Sequence, residues 1–202
     1  MKNRVAVLWI AAMALAMLRP DCPAVPAEAL ATNRPAPVAT LKFRLQNGLV
    51  MLPAAINGSE PLSFLLDTGY SLTTIHPRLA ESLNLRRAGK VTIVGIAGEE
   101  DAPMYAGAEF RLGDATYSPR RVAAVPSEAQ RRRRRDGIIG SGFFRRFIVQ
   151  LDFTNTTARL FNPGSDVHGS EGVIIPLKFR QETPIISAVI PLAGGRNVEG
   201  QF

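Results

Sequence analysis

The segment FLLDTGYSLTTI, residues 64–75, is the stretch from which the rest of this sequence is best understood. An apolar run precedes Asp67-Thr68-Gly69, and a second β-prone stretch follows through Ile75. A strand that ends at Asp67 would hold its carboxylate, the Thr68 hydroxyl would bond to a partner loop, and Gly69 would turn the backbone where a Cβ would clash. Asp-Thr-Gly alone is a weak signal, because the tripeptide is also typical of an ordinary turn. The apolar segments on both sides favour a functional carboxylate.

Two later segments complete the pattern. DGIIGSGFFRRFIVQLDF, Asp136–Phe153, contains a Gly-Ile-Ile-Gly sequence ahead of an expected short helix and strand. VTIVGIAGEEDAPMY, residues 91–105, is a β-prone stretch with glycines near its middle. Together with Asp-Thr-Gly, these segments resemble the retropepsin-like aspartic peptidases, in particular their bacterial exported branch. The resemblance covers about residues 41–161.

The resemblance implies a role for each motif. Asp67 would be a catalytic carboxylate, and residues 91–105 would form a flap, a hairpin that covers the cleft. Tyr70 departs from the family pattern, in which this position usually holds a small residue, and its side chain either narrows the site or points away from it. The residues implied to support the catalytic loop are Thr68, Gly69, Gly137, Ile138, Ile139 and Gly140, and those implied at the flap tip are Gly95, Ile96, Ala97 and Gly98.

The chemistry of such peptidases requires two carboxylates. Like charges about 3 Å apart cannot both ionise, so the pair shares one proton and activates a water molecule, without a covalent intermediate, a metal or another cofactor. This sequence supplies one candidate, Asp67. The second carboxylate would come from another copy of the chain or from a missing second lobe, and a lone lobe would be inactive. The aspartates that lack a strand–Asp–Thr/Ser–Gly setting are Asp114, Asp136, Asp152 and Asp166.

Two functions of different classes remain open at this point. The first is an aspartic endopeptidase that hydrolyses an extended peptide or protein substrate, bound beneath the flap by strand addition. The second is a non-catalytic peptide- or partner-binding β domain that keeps the fold. A complete pair of carboxylates in the assembled protein separates the two. The purely structural interpretation of Asp67 is a turn carboxylate that caps its own loop.

The beginning of the sequence predicts export. Lys2 and Arg4 are followed by the apolar run Val5–Leu18 and by small residues. This pattern is typical of a signal peptide, assigned to residues 1–31, and implies a periplasmic or secreted protein. An uncleaved anchor that would leave the protein at a membrane is the alternative. The single cysteine, Cys22, would leave with the peptide, and a mature chain without thiols suits an oxidising compartment.

The rest of the sequence predicts an all-β fold: a barrel-like lobe over residues 41–161, after a linker at residues 32–40. Asn47-Gly48 is a strong hairpin signal between Leu41–Leu45 and Leu49–Ile56. The other elements predicted are strands at Leu62–Leu66, 91–97, 102–112, Tyr117–Val125, Phe147–Phe153 and Thr157–Phe161, and short helices at Pro77–Leu85 and Ser141–Phe147.

A change in composition after Phe161 indicates a second unit. Residues 162–172 are predicted to form a linker, and Leu177–Arg180 then repeats Leu41–Arg44 letter for letter. Both copies continue through an apolar β stretch and a glycine-containing turn to a Phe. A diverged repeat predicts that residues 173–202 begin a second, incomplete lobe. The repeat favours a second lobe over a second copy as the source of the other carboxylate.

The net charge of +7 is concentrated in Arg131–Arg135. Nucleic-acid binding needs basic residues spread over a face with aromatic residues among them, and this run has neither feature. We interpret it as a solvated loop, with contact to an anionic envelope surface or a regulatory cleavage point as alternatives. His76 and His168 lack the spacing of metal ligands, so no metal site is predicted, and His76 before Pro77 is expected to begin a helix.

Overall fold

The computed structural model describes residues 35–95, 98–126, 135–167, 172–180 and 183–201 of the 202-residue chain. Short strands dominate the described part, which confirms the all-β fold class. The elements in chain order are β1 (Ala39–Lys42), β2 (Arg44–Gln46), β3 (Leu49–Ile56), β4 (Leu62–Leu66), β5 (Thr74–Ile75), α1 (Pro77–Ser82), β6 (Arg86–Gly95), β7 (Gly98–Ala106), β8 (Phe110–Leu112), β9 (Ala115–Tyr117), β10 (Val122–Ala124), β11 (Gly137–Ile139), α2 (Ser141–Arg146), β12 (Ile148–Asp152), β13 (Thr157–Phe161), β14 (Lys178–Arg180), β15 (Thr183–Ile185), β16 (Ser187–Pro191) and β17 (Asn197–Gln201).

The largest sheet has ten strands. Its path is β6-β7-β10-β5-β11-β4-β3-β8-β9, and β2 pairs with β3 beside that path. Its neighbouring strands are antiparallel except at two places, where β4 runs parallel to β11 and β5 parallel to β10. A three-stranded sheet in the order β1-β13-β12 completes the lobe. The parallel β4–β11 pair brings the Asp67 segment and the Gly-Ile-Ile-Gly segment together, although they lie far apart in the sequence.

The hairpin predicted at Asn47-Gly48 is confirmed. Gln46 pairs with Leu49, so Asn47 and Gly48 form the whole connection between β2 and β3. Their φ angles of 53° and 77° lie in the left-handed region that such a two-residue turn requires. Glycine adopts this conformation without strain, and asparagine tolerates it better than most residues.

Several element boundaries differ from the prediction. β6 begins at Arg86 rather than at residue 91, and the strand predicted at 102–112 is divided between β7 and β8. β1 begins at Ala39, inside the predicted linker, because residues 39–42 find a partner in β13, which lies far along the chain. The first helix ends at Ser82 rather than Leu85. Asn84 takes a φ of 50°, which is incompatible with a continuing right-handed helix.

Two prolines mark where elements begin and end. Pro77 opens α1 as predicted, and His76 caps this helix, because its Nδ1 accepts a hydrogen bond from the N–H of Arg78 at 3.2 Å. Pro119 lies between β9 and β10, where one continuous strand at Tyr117–Val125 was predicted. Proline has no N–H to donate to a ladder, so the strand is interrupted there.

The hydrophobic core is centred on aromatic side chains from several strands and α2. Phe64, Phe110 and Phe143 are fully buried. The rings of Phe64 and Phe110 meet edge to face at 5.3 Å, and Tyr117 lies 5.9 Å from Phe110 and 5.2 Å from Phe143. Edge-to-face pairs add about 0.5–1.5 kcal/mol each beyond the burial of apolar area. The core therefore packs β4, the strand that precedes Asp67, against β8, β9 and α2.

The region after the lobe forms two further hairpins. β14 pairs with β15 and β16 with β17, and neither hairpin joins the larger sheets. Several of its apolar side chains are exposed, with Val173 88% accessible. The Phe179 ring contacts the lobe, 5.7 Å from the guanidinium of Arg145. The β structure predicted here is present, while its membership of a second lobe stays a prediction.

Some predicted features lie outside the described residues: the signal peptide, Arg131–Arg134, His168 and the flap-tip residues Ile96 and Ala97. Arg135 is described, and its side chain is half-buried, which corrects the solvated-loop interpretation at that position. In the described ranges, no helix has the length and apolar character needed to cross a membrane.

Candidate active site

Asp67 lies directly after β4, at the start of a tight turn. Its main-chain N–H donates to the carbonyl of Ile139 at 3.0 Å, and its Oδ1 accepts a hydrogen bond from the N–H of Gly69 at 2.9 Å. Within the described part of the chain, Oδ2 accepts no hydrogen bond. The side chain is half-exposed. One carboxylate oxygen is therefore held by the loop, and the other faces any water or substrate that reaches the site.

The Gly-Ile-Ile-Gly segment holds the chain on both sides of this turn. In the parallel β4–β11 pair, Ile139 lies opposite Leu66, the residue before Asp67. Beyond β11, the N–H of Ser141 donates to the carbonyl of Tyr70 at 2.8 Å. Main-chain hydrogen bonds from one segment thus fix the residues before and after the turn.

Gly137 and Gly140 are required because backbone segments approach each other closely. A Cβ at Gly137 would lie 2.0 Å from the carbonyl oxygen of Thr74, and a Cβ at Gly140 would lie 2.3 Å from that of Leu72. Backbone atoms cannot move aside as a flexible side chain can. The two glycines therefore allow the segment to lie against the loop that it supports.

Thr68 and Gly69 are exposed at the tip of the turn. The clash predicted at Gly69 is wrong for this chain: an added Cβ would approach Asp67 Oδ1 at 3.4 Å, an ordinary contact, and the backbone there is not left-handed. Among the described residues, the Thr68 hydroxyl has no hydrogen-bond partner. Its bond to a partner loop stays a prediction.

Thr73 is a supporting residue that the sequence analysis missed. It is 4% exposed, and its Oγ1 accepts a hydrogen bond from the N–H of Gly140 at 3.4 Å and lies 3.3 Å from the hydroxyl of Tyr117. Buried hydroxyls are usually hydrogen-bonded, so a Thr inside a short apolar stretch was the available signal. Thr73 connects the candidate catalytic loop to the aromatic core.

Tyr70 lies in the site rather than pointing away from it. Its side chain packs against a small cluster formed by Met51, Leu65 and Ile138. It also lines a cavity of about 720 Å³, together with residues 91–94 of β6. The phenol therefore occupies space beside the candidate catalytic loop that a small residue would leave open.

The electrostatic surroundings of Tyr70 include three charged side chains. Burial raises the pKa of the Tyr70 hydroxyl, and the negative charges of Asp67 and Glu100 raise it further, whereas the positive charge of Arg135 lowers it. The hydroxyl therefore stays protonated through the acidic and neutral range. It is a neutral hydrogen-bond donor, and Asp67 is close enough for its negative charge to raise the pKa of this hydroxyl.

The hairpin predicted as the flap is formed by β6 and β7, with Gly95 opposite Gly98. On its exposed surface, Asp101 accepts hydrogen bonds from Lys90 at 2.9 Å and from Thr92 at 2.7 Å. The Lys90–Asp101 pair is solvent-exposed and contributes little to stability. The hairpin is held mainly by its own strand ladder.

The other aspartates have different local roles. Asp152 accepts hydrogen bonds from the N–H and the side-chain amide of Asn155, at 2.9 and 2.8 Å, in the β12–β13 turn. Asp136 bonds to Ser63, and Asp114 lies exposed in the β8–β9 turn. In the part of the chain that the structure describes, no group of three or more His, Cys, Asp or Glu side chains is placed to bind a metal ion.

The segment of the chain that contains the candidate site matches a known protein family. A family model described as “Aspartyl protease” matches residues 52–143, which include Asp67, the flap hairpin and Gly137–Gly140. No curated protein matches the sequence. A retropepsin-like aspartic protease from Rickettsia conorii has a similar solved structure, with a TM-score of 0.44 and 17% identity, covering 60% of this chain and 89% of that chain.

Proposed function

We propose that this chain, whose residues 52–143 match a family model described as “Aspartyl protease”, supplies one catalytic half of an exported, retropepsin-like aspartic endopeptidase. The position of Asp67 carries the proposal. Its Oδ1 is held at 2.9 Å by the Gly69 N–H, while Oδ2 is open. A carboxylate held in this way at the end of a paired strand keeps one oxygen oriented toward a reacting group.

In the proposed reaction, Asp67 and a second carboxylate share one proton and hold a water molecule. The ionised carboxylate removes a proton from the water while the water oxygen bonds to the carbonyl carbon of the peptide. The protonated carboxylate gives its proton to the carbonyl oxygen. The C–N bond then breaks as the nitrogen takes the proton that the pair received from the water. A hydroxyl of the tetrahedral diol returns one proton to the pair as the new carboxyl group forms.

The second carboxylate is proposed to come from another lobe, either in a second copy of this chain or in a lobe related to residues 173–202. No other Asp in the described ranges is followed by Thr-Gly or Ser-Gly after a strand. The exposure of Thr68 and Gly69 supports this arrangement, because a partner loop has access to them.

The proposed substrate is an extended peptide or an unfolded segment of a protein. Such a chain would lie between the Asp67 turn and the β6–β7 hairpin, with alternate side chains entering separate subsites. Tyr70 supports a preference for a small side chain beside Asp67, because the phenol already fills part of that space. Export to the periplasm or beyond is proposed from residues 1–31 alone.

A non-catalytic peptide-binding domain is the second candidate. Tyr70 favours it, because a half-buried phenol near Asp67 takes up room that a water molecule and a peptide carbonyl would need. In that case the cleft would still accept an extended peptide, and Asp67 would serve only as the carboxylate that accepts the Gly69 N–H.

The test compares the full chain with Asp67→Asn in the turnover of an unfolded, fluorescently labelled protein, over a range of protein concentrations. An amide keeps the oxygen that accepts the Gly69 N–H but cannot ionise, so turnover should fall to background without a change in circular dichroism. Asp114→Asn, at an exposed turn, is the matched control and should retain full turnover.

The outcomes separate the candidates. A specific activity that rises with concentration would support pairing of two copies. Undiminished turnover by Asp67→Asn would remove this residue from the reaction. Saturable peptide binding without turnover at any concentration would favour the binding domain.

A further inference from the structure

A second cavity, of about 830 Å³, lies beside the segment that follows the Asp67 turn. Its floor is built from side chains that are 4–7% exposed: Thr73, Met104 and Tyr117. Its rim carries three exposed arginines: Arg120, Arg121 and Arg146. We call it the arginine cavity. It combines an enclosed floor with a positively charged entrance.

The three arginines come from two separate places in the fold. Arg120 and Arg121 belong to the connection between β9 and β10, and Arg146 ends α2. Arg146 lies with its guanidinium 4.8 Å above the ring of Phe147, which restricts where the charge can move. The fold therefore brings together arginines that lie apart in the sequence, whereas Arg131–Arg135 are consecutive residues.

The charge of this rim is not neutralised by the residues around it. None of the described residues that line the cavity is Asp or Glu, and in the described ranges none of the three arginines forms an ion pair. Like charges at one rim repel each other, and a bound anion would remove that repulsion.

The remaining polar groups of the cavity are hydroxyls. Ser71, Thr116 and Ser118 line it and are exposed. Planar guanidinium forks and hydroxyls are the donors that recognise carboxylate and phosphate oxygens. The volume is within the range of small-molecule sites. A nucleic-acid groove would need exposed aromatic rings for stacking, and Tyr117 is buried in the floor.

We infer that the arginine cavity binds a small polyvalent anion with two or more carboxylate or phosphate groups. Ser71 and Leu72 line both this cavity and the one beside Tyr70, so the bound anion contacts the loop that follows Asp67. The inference does not depend on peptidase activity, because it concerns binding at a separate cavity.

The test is isothermal titration calorimetry of the full chain with citrate and with inorganic pyrophosphate, at constant ionic strength. We expect saturable binding of one anion with a Kd below about 1 mM. The double variant Arg120→Gln/Arg146→Gln should weaken it at least about tenfold, because two charged donors are lost. Arg111→Gln, an exposed arginine of β8 outside the cavity, should leave the Kd unchanged within about twofold.

Tighter binding of citrate would identify carboxylates as the ligand class, and tighter binding of pyrophosphate would identify phosphates. Denaturation curves without anion show whether the double variant is folded. Absence of saturable binding, or equal weakening by Arg111→Gln, would overturn the inference. Binding confined to anionic lipid vesicles or to acidic peptides would overturn it as well.

Discussion

Ser63 and Asp136 are joined by two hydrogen bonds, although 73 positions separate them in the sequence. The N–H of Ser63 donates to Oδ2 of Asp136 at 2.7 Å, and the N–H of Asp136 donates to the carbonyl of Ser63 at 2.7 Å. Ser63 belongs to β4, which leads to Asp67, and Asp136 directly precedes β11. The pair thus sets the register of the two strands that position the candidate catalytic carboxylate.

Asp136→Ala should lower the free energy of unfolding by about 1–3 kcal/mol, because the partly buried N–H of Ser63 loses its charged acceptor. Chemical denaturation measures the effect. The matched control is Glu109→Ala, since Glu109 is exposed and its hydrogen bonds to Asn57 use only its main chain. A change within about 0.5 kcal/mol is expected for the control. Equal effects in the two variants would mean that the Asp136 carboxylate does not hold the strands together.

Gly140→Ala should destabilise the lobe by more than about 4 kcal/mol or prevent folding, because the new Cβ would lie 2.3 Å from the carbonyl oxygen of Leu72. Gly69→Ala should cost less than about 1 kcal/mol, since its Cβ meets only an ordinary contact. Soluble yield and urea denaturation compare the two. A stable Gly140→Ala variant would show that β11 and the loop do not lie as close as described.

The free energy of unfolding should fall as the pH rises above about 10, partly because of two tyrosines. Burial raises the pKa of both Tyr70 and Tyr117 above 10.0 in the folded chain. The unfolded chain therefore loses these protons first, unfolding releases protons, and alkaline pH favours the unfolded state. Urea denaturation across this range should show a shallower fall for Tyr70→Phe than for the native chain. An identical pH profile would place the Tyr70 hydroxyl in solvent.

Amides of β16 and β17 should exchange with solvent far faster than those of β4 and β11. The terminal hairpin is paired only with itself, and isolated two-stranded hairpins are marginally stable in water. β4 and β11 lie inside the ten-stranded sheet and should open only with global unfolding. Hydrogen exchange followed by mass spectrometry measures both regions. Protection of the hairpin equal to that of β4 would mean that it packs against another surface.

The local elements of the lobe were predictable because short-range rules determine them. Asn47-Gly48 is typical of a two-residue hairpin, and Pro77 is typical of the start of a helix. The bounds of β3 and β4 follow from apolar runs between turn residues. Element ends such as Ala39 were not predictable, because they depend on a pairing partner far along the chain. The break at Pro119 had a signal in the sequence, the missing N–H of proline.

The sequence by itself determined which residues carry the candidate chemistry: Asp67 in its strand–turn setting and a glycine-bounded apolar pair to support it. Only the tertiary structure decided how they are held. The need for glycine at Gly140 rather than Gly69, the Ser63–Asp136 bonds and the arginine cavity all arise where segments distant in sequence meet. Distances between such segments depend on packing and strand register across the whole sheet, and a local pattern of residues does not contain that information.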